Sequence, residues 1–130
     1  MEHDNVAIVK TYFEAFDRGD LDTAASYLDP EVQWRNTTLI DDEKVAGRAA
    51  VRTYWDRILS TFPFVHDDAT FEANGDQVCV IARVRARGAA SGLELDAPCG
   101  YALTLRNGLV TRSDFFADPG EARRAAGLEP

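Results

Sequence analysis

Five large aromatic side chains carry a polar atom that could act in a buried site, namely Tyr12, Trp34, Tyr54, Trp55 and Tyr101. A buried tyrosine hydroxyl or tryptophan N–H normally needs a hydrogen-bond partner. Phenol hydroxyls held in an apolar enclosure can stabilise an oxyanion that develops during a reaction. These residue types therefore allow either an ordinary aromatic core or a pocket that contains hydrogen-bond donors.

Three arginines alternate along one predicted strand. In the segment VCVIARVRARG, Arg83, Arg85 and Arg87 share one face with Cys79 and Ile81, whereas the other face is entirely apolar. An arginine beside a pocket would favour a ligand with a carboxylate, phenolate or enolate oxygen. The side of the sheet on which these arginines lie therefore matters for function.

The pairing register with the next strand decides which face is inside. If the numbers of facing residues add up to 181, the apolar face meets Cys99 and Tyr101, and the arginines meet Glu94 and Asp96 in ion pairs. If they add up to 180, the arginines project into an apolar enclosure and need a polar or anionic ligand there. The residues alone favour the first register, which gives no arginine site.

The histidines and cysteines give weaker signals. His66 precedes Asp67 and Asp68, a context that favours a surface histidine over a catalytic one. Cys79 and Cys99 are expected to be small buried hydrophobic residues. The spacings match no metal-ligand pattern and no nucleotide-binding loop is present, so we predict no metal and no cofactor.

Composition limits the class of protein. The chain has 130 residues and is expected to form one domain, 1–130. Its 14 Lys and Arg against 22 Asp and Glu give a net charge of −8, which disfavours nucleic acid and anionic membranes as partners. The acidic N-terminal segment does not resemble a signal peptide, so we expect a cytoplasmic protein.

The periodicity of apolar residues divides the chain into two parts. Three helices are predicted first, followed by an antiparallel meander of four strands and a short final helix that Asp118 caps. A short strand over 31–36 and an irregular stretch over 37–44 separate the second and third helices. The predicted helices cover about 5–18, 21–28 and 47–61, and the predicted strands cover 64–73, 76–87, 93–105 and 109–117. Helices segregated from an antiparallel sheet indicate an α+β domain.

Three segments resemble a known family. VKTYFEAFDRGDLDTAASYLDPEVQWRN, GRAAVRTYWDRIL and LRNGLVTRSDFFADPGEARRAAG are similar to the SnoaL-like branch of the nuclear transport factor 2-like superfamily. The resemblance implies a cone-shaped, curved antiparallel or mixed sheet, with three N-terminal helices packed across it and a pocket between. It also implies a choice among ketosteroid isomerases, limonene epoxide hydrolases, polyketide cyclases and binding domains, because the fold does not select one function.

The resemblance to ketosteroid isomerases covers only part of their machinery. Tyr12 matches the helix tyrosine that donates to the enolate oxygen. The general-base aspartate of those enzymes falls at Asn36, which cannot accept a proton from carbon, and their oxyanion-hole acid falls at Tyr101. Isomerisation by their route therefore lacks its base.

The resemblance to limonene epoxide hydrolases also lacks essential groups. Trp34 and Asn36 match residues that hold the attacking water, and Arg83 matches a central arginine. The two aspartates that flank this arginine in the family fall at Arg85 and Phe115. The resemblances to ketosteroid isomerases and to limonene epoxide hydrolases nevertheless both place the strand face of Arg83 toward the cavity. They therefore imply that this arginine is a pocket residue.

The sequence therefore predicts a protein that encloses a small apolar ligand with an anionic or enolisable oxygen, and isomerase, cyclase or lyase chemistry if it is an enzyme. Arg83, Tyr12 and Tyr101 are the catalytic candidates. The predicted ligand-binding residues are Tyr12, Phe16, Trp34, Asn36, Trp55, Leu59, Ile81, Arg83, Cys99, Tyr101 and Phe115.

Two alternatives stay open. One is a non-catalytic ligand-binding or dimerisation module, and the other is an epoxide hydrolase-like enzyme with altered catalytic residues. In either case we expect a homodimer that forms through an open sheet face carrying Val78, Val80, Ala82 and Val84.

Overall fold

A computed structural model describes residues 2–37, 43–87, 92 and 94–130 of the chain. Within these ranges, helices precede most of the sheet, and one helix closes the chain. The helices are α1 (Glu2–Asp17), α2 (Leu21–Ser26), α3 (Arg48–Thr61) and α4 (Pro119–Ala125). The strands are β1 (Leu28–Asn36), β2 (Glu43–Ala46), β3 (Phe64–Asn74), β4 (Gln77–Arg87), β5 (Glu94–Arg106) and β6 (Leu109–Phe116).

The strands form one mixed, open sheet in the order β2-β1-β6-β5-β4-β3. β1 and β6 are parallel, whereas the other neighbouring strands are antiparallel. Helices α1, α2 and α3 pack against the inner face of the sheet, and α4 packs against the outer face. The predicted α+β class, with three N-terminal helices across a mixed sheet, is confirmed.

Local sequence signals explain several element ends. The side chain of Asp20 accepts a hydrogen bond from the backbone N–H of Thr23 and caps α2. The side chain of Asp118 accepts a hydrogen bond from the backbone N–H of Gly120 and caps α4, as predicted. Pro119 lies at the first helical position. Gly19 has a positive φ of 84°, which favours glycine directly after α1.

The elements differ from the prediction mainly before β3. Helix α1 begins at Glu2, three residues before the predicted start at position 5. Helix α2 ends at Ser26, and β1 is three residues longer than predicted at its start. Part of the predicted irregular stretch is strand β2, which pairs with β1, and positions 38–42 lie outside the described residues.

The β4–β5 pairing has the register in which facing residue numbers add up to 181. Val80 faces Tyr101 and Ala82 faces Cys99, and all four side chains are buried on the inner face. Val78 is likewise fully buried in the main core. The predicted dimer surface is therefore wrong, because these valines and Ala82 are covered by the chain's own helices. The homodimer itself stays a prediction.

Helix α4 approaches the outer face very closely at Gly100. A Cβ atom at this position would lie 2.4 Å from the Cβ of Ala122, so any other residue would push the helix away. Behind this contact, α4 covers a second apolar cluster that contains Cys79 and Ala102. No helix in the described part of the chain is long and apolar enough to cross a membrane.

Candidate functional site

A cavity of about 130 Å³ lies between the inner face of the sheet and helices α1 and α3. Its walls are mainly aromatic rings, and its polar atoms come from tyrosine, tryptophan, histidine and asparagine side chains. The lining residues are Tyr12, Phe13, Phe16, Trp34, Asn36, Tyr54, Trp55, Ile58, Phe64, His66, Val84, Tyr101 and Phe115. None of these described lining residues is Asp, Glu, Lys or Arg, so the wall itself holds no permanent charge.

Seven of the residues predicted to bind a ligand line this cavity together. They are Tyr12, Phe16, Trp34, Asn36, Trp55, Tyr101 and Phe115. They come from α1, α3, β1, β5 and β6. Side chains alternate between the two faces of a strand, so the residues from β1, β5 and β6 lie together on the inner face of the sheet. Whether they bind a ligand stays a prediction.

Four other predicted residues lie elsewhere. The prediction that Arg83 lies in the pocket is wrong: its Nε donates to Asp96 Oδ1 at 2.8 Å on the half-exposed outer face. Ile81 is on that same outer face, against the cluster under α4. Cys99 points inward but is buried in the core outside the cavity lining, and Leu59 lines a neighbouring surface groove.

The prediction that His66 is a surface histidine is wrong, because its side chain is buried in the wall of the cavity. His66 Nδ1 lies 2.8 Å from Asp17 Oδ1, and its Nε2 lies 2.7 Å from the Tyr101 hydroxyl oxygen. The backbone N–H of His66 also donates to Asp17 Oδ1, at 3.2 Å. The His66 side chain is 4% exposed and that of Asp17 is 24% exposed. We call this hydrogen-bonded chain of Asp17, His66 and Tyr101 the relay.

Hydrogen-bond chemistry sets the direction of the relay. An ionised carboxylate only accepts, so the Nδ1 of His66 carries the proton that points at Asp17. In a neutral imidazole Nε2 is then the acceptor, and the Tyr101 hydroxyl donates to it. The Tyr101 oxygen keeps lone pairs that can accept a proton from the cavity side.

Edge-to-face aromatic contacts hold the relay in place. The ring of Phe13 contacts His66 and Tyr101 with centroid distances of 5.0 and 5.1 Å, and it also contacts Tyr12 at 5.4 Å. On the other side, Phe115 packs on Tyr101 at 4.9 Å and Phe64 packs on His66 at 5.6 Å. Such packing restricts the rings to the orientation in which the hydrogen bonds form.

Tyr12 and Tyr101, two of the three tyrosines that line the cavity, remain protonated at neutral pH. Burial raises the pKa of Tyr101 well above its usual value of 10, and the charge of Asp17 and the ionised forms of Cys99 and Tyr12 raise it further. Burial alone raises the pKa of Tyr12. Both phenols are therefore hydrogen-bond donors rather than phenolates.

Raising the pH above 9 should destabilise the fold. Burial raises the pKa of the Cys99 thiol to about 11 from its usual value of 9, so between these values the unfolded chain loses a proton that the folded chain keeps. The free energy of unfolding should therefore fall as the pH rises from 9 to 11, and the raised pKa values of Tyr12 and Tyr101 add to the loss above pH 10.

Urea unfolding at pH 8, 9, 10 and 10.5 measures this decline. The Cys99→Ala variant should show a shallower decline between pH 9 and 10 than the wild type. It keeps part of the slope, because burial also raises the pKa of Cys79. Parallel stability curves for the two proteins would contradict the assignment of this decline to Cys99.

His66 was missed because its partners are distant in the sequence, 49 and 35 residues away. Its neighbours Asp67 and Asp68 are acidic and suggested a solvent-exposed segment. A local signal was nevertheless present: Phe64 and His66 alternate on one face of the predicted strand, which places the histidine with the phenylalanine. Among the described residues, no group of three or more His, Cys, Asp or Glu side chains could hold a metal ion.

These observations define a class: an α+β cone with an aromatic cavity enclosed between its sheet and its helices. Residues 9–113, most of the chain, match the SnoaL-like domain family. The chain therefore belongs to the SnoaL-like domain family. No curated protein matches the chain in sequence.

Solved structures share the fold over nearly the whole chain. A protein from Xanthomonas campestris pv. campestris assigned as a polyketide cyclase is 25% identical, with a TM-score of 0.83 over 92% of this chain and 94% of that one. A nuclear transport factor 2-like protein from Burkholderia xenovorans LB400 is 22% identical, with a TM-score of 0.79 over 97% and 98%. A Catenulispora acidiphila protein with a ketosteroid isomerase-like fold, in complex with trimethylamine, is 13% identical, with a TM-score of 0.77 over 93% and 92%.

Proposed function

We propose that the protein is an isomerase or cyclase that moves a proton at a carbon next to a carbonyl group in a small, mainly apolar substrate. The observation that carries this proposal is the relay, because a hydrogen-bonded Asp-His-Tyr chain runs from the half-buried Asp17 to Tyr101 in the wall of an apolar cavity. General acid–base catalysis needs such a group within reach of the substrate and shielded from water.

The relay can remove a proton without forming a free phenolate. The Tyr101 oxygen accepts the proton from the substrate carbon while its own hydroxyl proton passes to His66 Nε2. The electron pair of the broken C–H bond enters the substrate as an enolate, and the imidazolium that forms is stabilised by Asp17. Because Tyr101 is neutral before and after the step, its raised pKa is no obstacle.

The second half of the reaction returns the proton. In an isomerisation, Tyr101 donates it to another carbon of the enolate while the His66 imidazolium returns its Nε2 proton to the Tyr101 oxygen. In a cyclisation, the enolate carbon first attacks a second carbonyl of the same substrate, and the resulting alkoxide receives the proton. Tyr12, whose side chain lines the cavity, is the candidate donor to the enolate oxygen.

The uncharged wall of the cavity favours a neutral substrate. The expectation of an anionic ligand depended on Arg83, and this arginine is paired with Asp96 on the outer face. An enolisable oxygen remains the feature that Tyr12 and Tyr101 would recognise. The similarity to a protein assigned as a polyketide cyclase supports the same chemistry, because closing a ring between the carbon next to one carbonyl group and the carbon of a second carbonyl group proceeds through an enolate.

The epoxide hydrolase-like alternative is less well supported. The family carboxylates would fall at Arg85 and Phe115, and of these Phe115 lines the cavity, whereas Arg85 donates to Asp67 on the surface. Neither position supplies a carboxylate that could activate water there.

Proton exchange into a simple ketone tests the proposal without knowledge of the natural substrate. Cyclohexanone in D₂O should exchange its α-protons faster in the presence of the protein than in buffer alone, as followed by ¹H NMR. The Arg83→Ala variant should exchange them at the wild-type rate, because this side chain lies outside the cavity. The absence of protein-dependent exchange, or its loss in Arg83→Ala, would contradict the proposal.

A further inference from the structure

A surface groove of about 670 Å³ adjoins the cavity. Phe16 and Phe64 line both spaces, so their side chains form the wall between them. Their ring centroids are 5.4 Å apart, which leaves no room for a chain of methylene groups unless the rings separate. Asp17, the outer end of the relay, also lines the groove.

The floor of the groove is apolar and partly open to solvent. Leu59, Pro63 and Ala86 contribute to it, and so do Val65 and Leu95. Among the described residues, the exposed large hydrophobic side chains are Val65 and Leu95, which are 41% and 46% exposed. Exposed apolar residues that are gathered in one concave site indicate a surface that a ligand covers.

The rim of the groove carries more negative than positive charge. Its carboxylates are Asp17, Asp67, Glu94 and Asp96, and its guanidinium groups are Arg18 and Arg85. Asp67 is paired with Arg85 at 3.0 Å, Asp96 is paired with Arg83 at 2.8 Å, and Arg18 lies 3.5 Å from Asp20. With Arg83 counted, the four carboxylates face three guanidinium groups, and the rim keeps a small excess of negative charge. The rim therefore disfavours an anionic group and accepts a neutral or cationic one.

The size of the cavity sets what can lie inside it. Its volume of about 130 Å³ is close to that of an apolar protein cavity of roughly 150 Å³ that binds benzene. One ring or a fragment of that size fills it, and any longer substrate must continue elsewhere. A second surface depression of about 430 Å³ adjoins the cavity at Tyr54. The groove behind Phe16 and Phe64 is larger, at about 670 Å³, and it also borders Asp17 of the relay.

We propose that the groove is the second subsite for an elongated substrate. The reacting ring-sized head lies in the cavity beside the relay, and the rings of Phe16 and Phe64 separate to let an apolar chain pass. This chain lies over Leu59 and Leu95 and ends in a neutral or cationic group. The proposal rests on the function proposed above, because it assigns the head of the substrate to the same cavity.

A series of 4-alkylphenols tests the subsite, with phenol as the head and propyl, pentyl and heptyl chains as tails. Calorimetric Kd values for the wild type should fall about two- to fourfold for each added methylene, as expected for a partly to fully buried CH₂ group. In Leu95→Ser the affinity for phenol should be unchanged, whereas the gain with chain length should largely disappear. Leu109→Ser, at the start of β6 and outside the groove, is the matched control and should keep the gain.

The charge of the tail provides a second comparison. A heptylphenol with a terminal ammonium group should bind more tightly than the same molecule with a terminal carboxylate. Kd values that are independent of chain length, or a gain that survives in Leu95→Ser, would overturn the subsite. So would tighter binding of the carboxylate.

A change in the ring NMR signals of His66 on addition of phenol separates the two proposals. If phenol shifts these signals but chain length has no effect, the subsite fails and the proposed function stands. If neither phenol nor any alkylphenol binds, both proposals fail.

Discussion

Replacing His66 with alanine should slow the protein-dependent exchange of cyclohexanone α-protons by about 10²- to 10⁴-fold, the usual contribution of a general acid–base group. The imidazole is the group in the relay that can accept the hydroxyl proton of Tyr101. Without it, Tyr101 can accept a substrate proton only by becoming a cation, and its raised pKa also prevents it from acting as a phenolate near pH 7. The rate is measured by ¹H NMR in D₂O.

Chemical rescue separates catalysis from structural support. The substitution leaves space beside the cavity, and imidazole added to the solution should restore part of the exchange rate in His66→Ala. The rescued rate should rise with the concentration of imidazole and then saturate. A variant that remains folded and exchanges protons at the wild-type rate would exclude His66 as the proton acceptor.

Most of the fold could be predicted because its signals are local. β3 through β6 follow two-residue alternation between turn residues, and their predicted limits agree with the observed ones to within one residue. β2 could not be predicted in this way, because a strand of four residues contains too little alternation. Its existence depends on pairing with β1, which is a tertiary contact.

The register of β4 and β5 follows the desolvation cost of burying arginines and not the family resemblance that placed Arg83 in the pocket. The observed register buries Val78, Val80 and Ala82 and leaves Arg83 and Asp96 to pair at the surface. The opposite register would have placed arginines in the apolar interior, at a high desolvation cost. The resemblance to epoxide hydrolases favoured the wrong face for Arg83, because a family's arginine position carries over only if the side chains around it also do.

The site was predicted only in part for a related reason. Tyr12, Trp34 and Tyr101 combine a large apolar surface with a polar atom, so their residue types alone suggested a pocket. A histidine acquires its role from its partners, and the partners of His66 come from helix α1 and strand β5. Contacts between such distant segments are absent from any local pattern.

The distribution of charge in the folded protein also changes the expected ligand. The chain carries a net charge of −8, but no described residue in the cavity lining is acidic, and Asp17 faces His66 and lines the groove. The described lining therefore provides hydrogen-bonding groups without a carboxylate, an ammonium or a guanidinium group. A neutral ketone matches these groups better than the anion that an inward Arg83 would have required.

Replacing Phe13 with alanine should lower the free energy of unfolding by about 3–5 kcal/mol, the usual cost of removing a buried phenylalanine ring. Phe13 is 5% exposed, and its ring contacts Tyr12, His66, Phe71 and Tyr101. A domain of this size is usually stable by about 5–15 kcal/mol, so the variant should still be folded at 25 °C. Urea unfolding followed by tryptophan fluorescence measures the loss.

The same substitution should also slow proton exchange in the protein that remains folded, because the rings of His66 and Tyr101 lose a shared neighbour that fixes their orientation. Phe13→Leu keeps most of the side-chain volume but not the flat edge of the aromatic ring. Compared with Phe13→Ala, it should therefore regain more of the wild-type stability than of the wild-type exchange rate. If both variants lose stability but keep the wild-type exchange rate under folded conditions, the ring of Phe13 contributes only to the core. A loss of exchange that exceeds the unfolded fraction indicates that this ring also positions the relay.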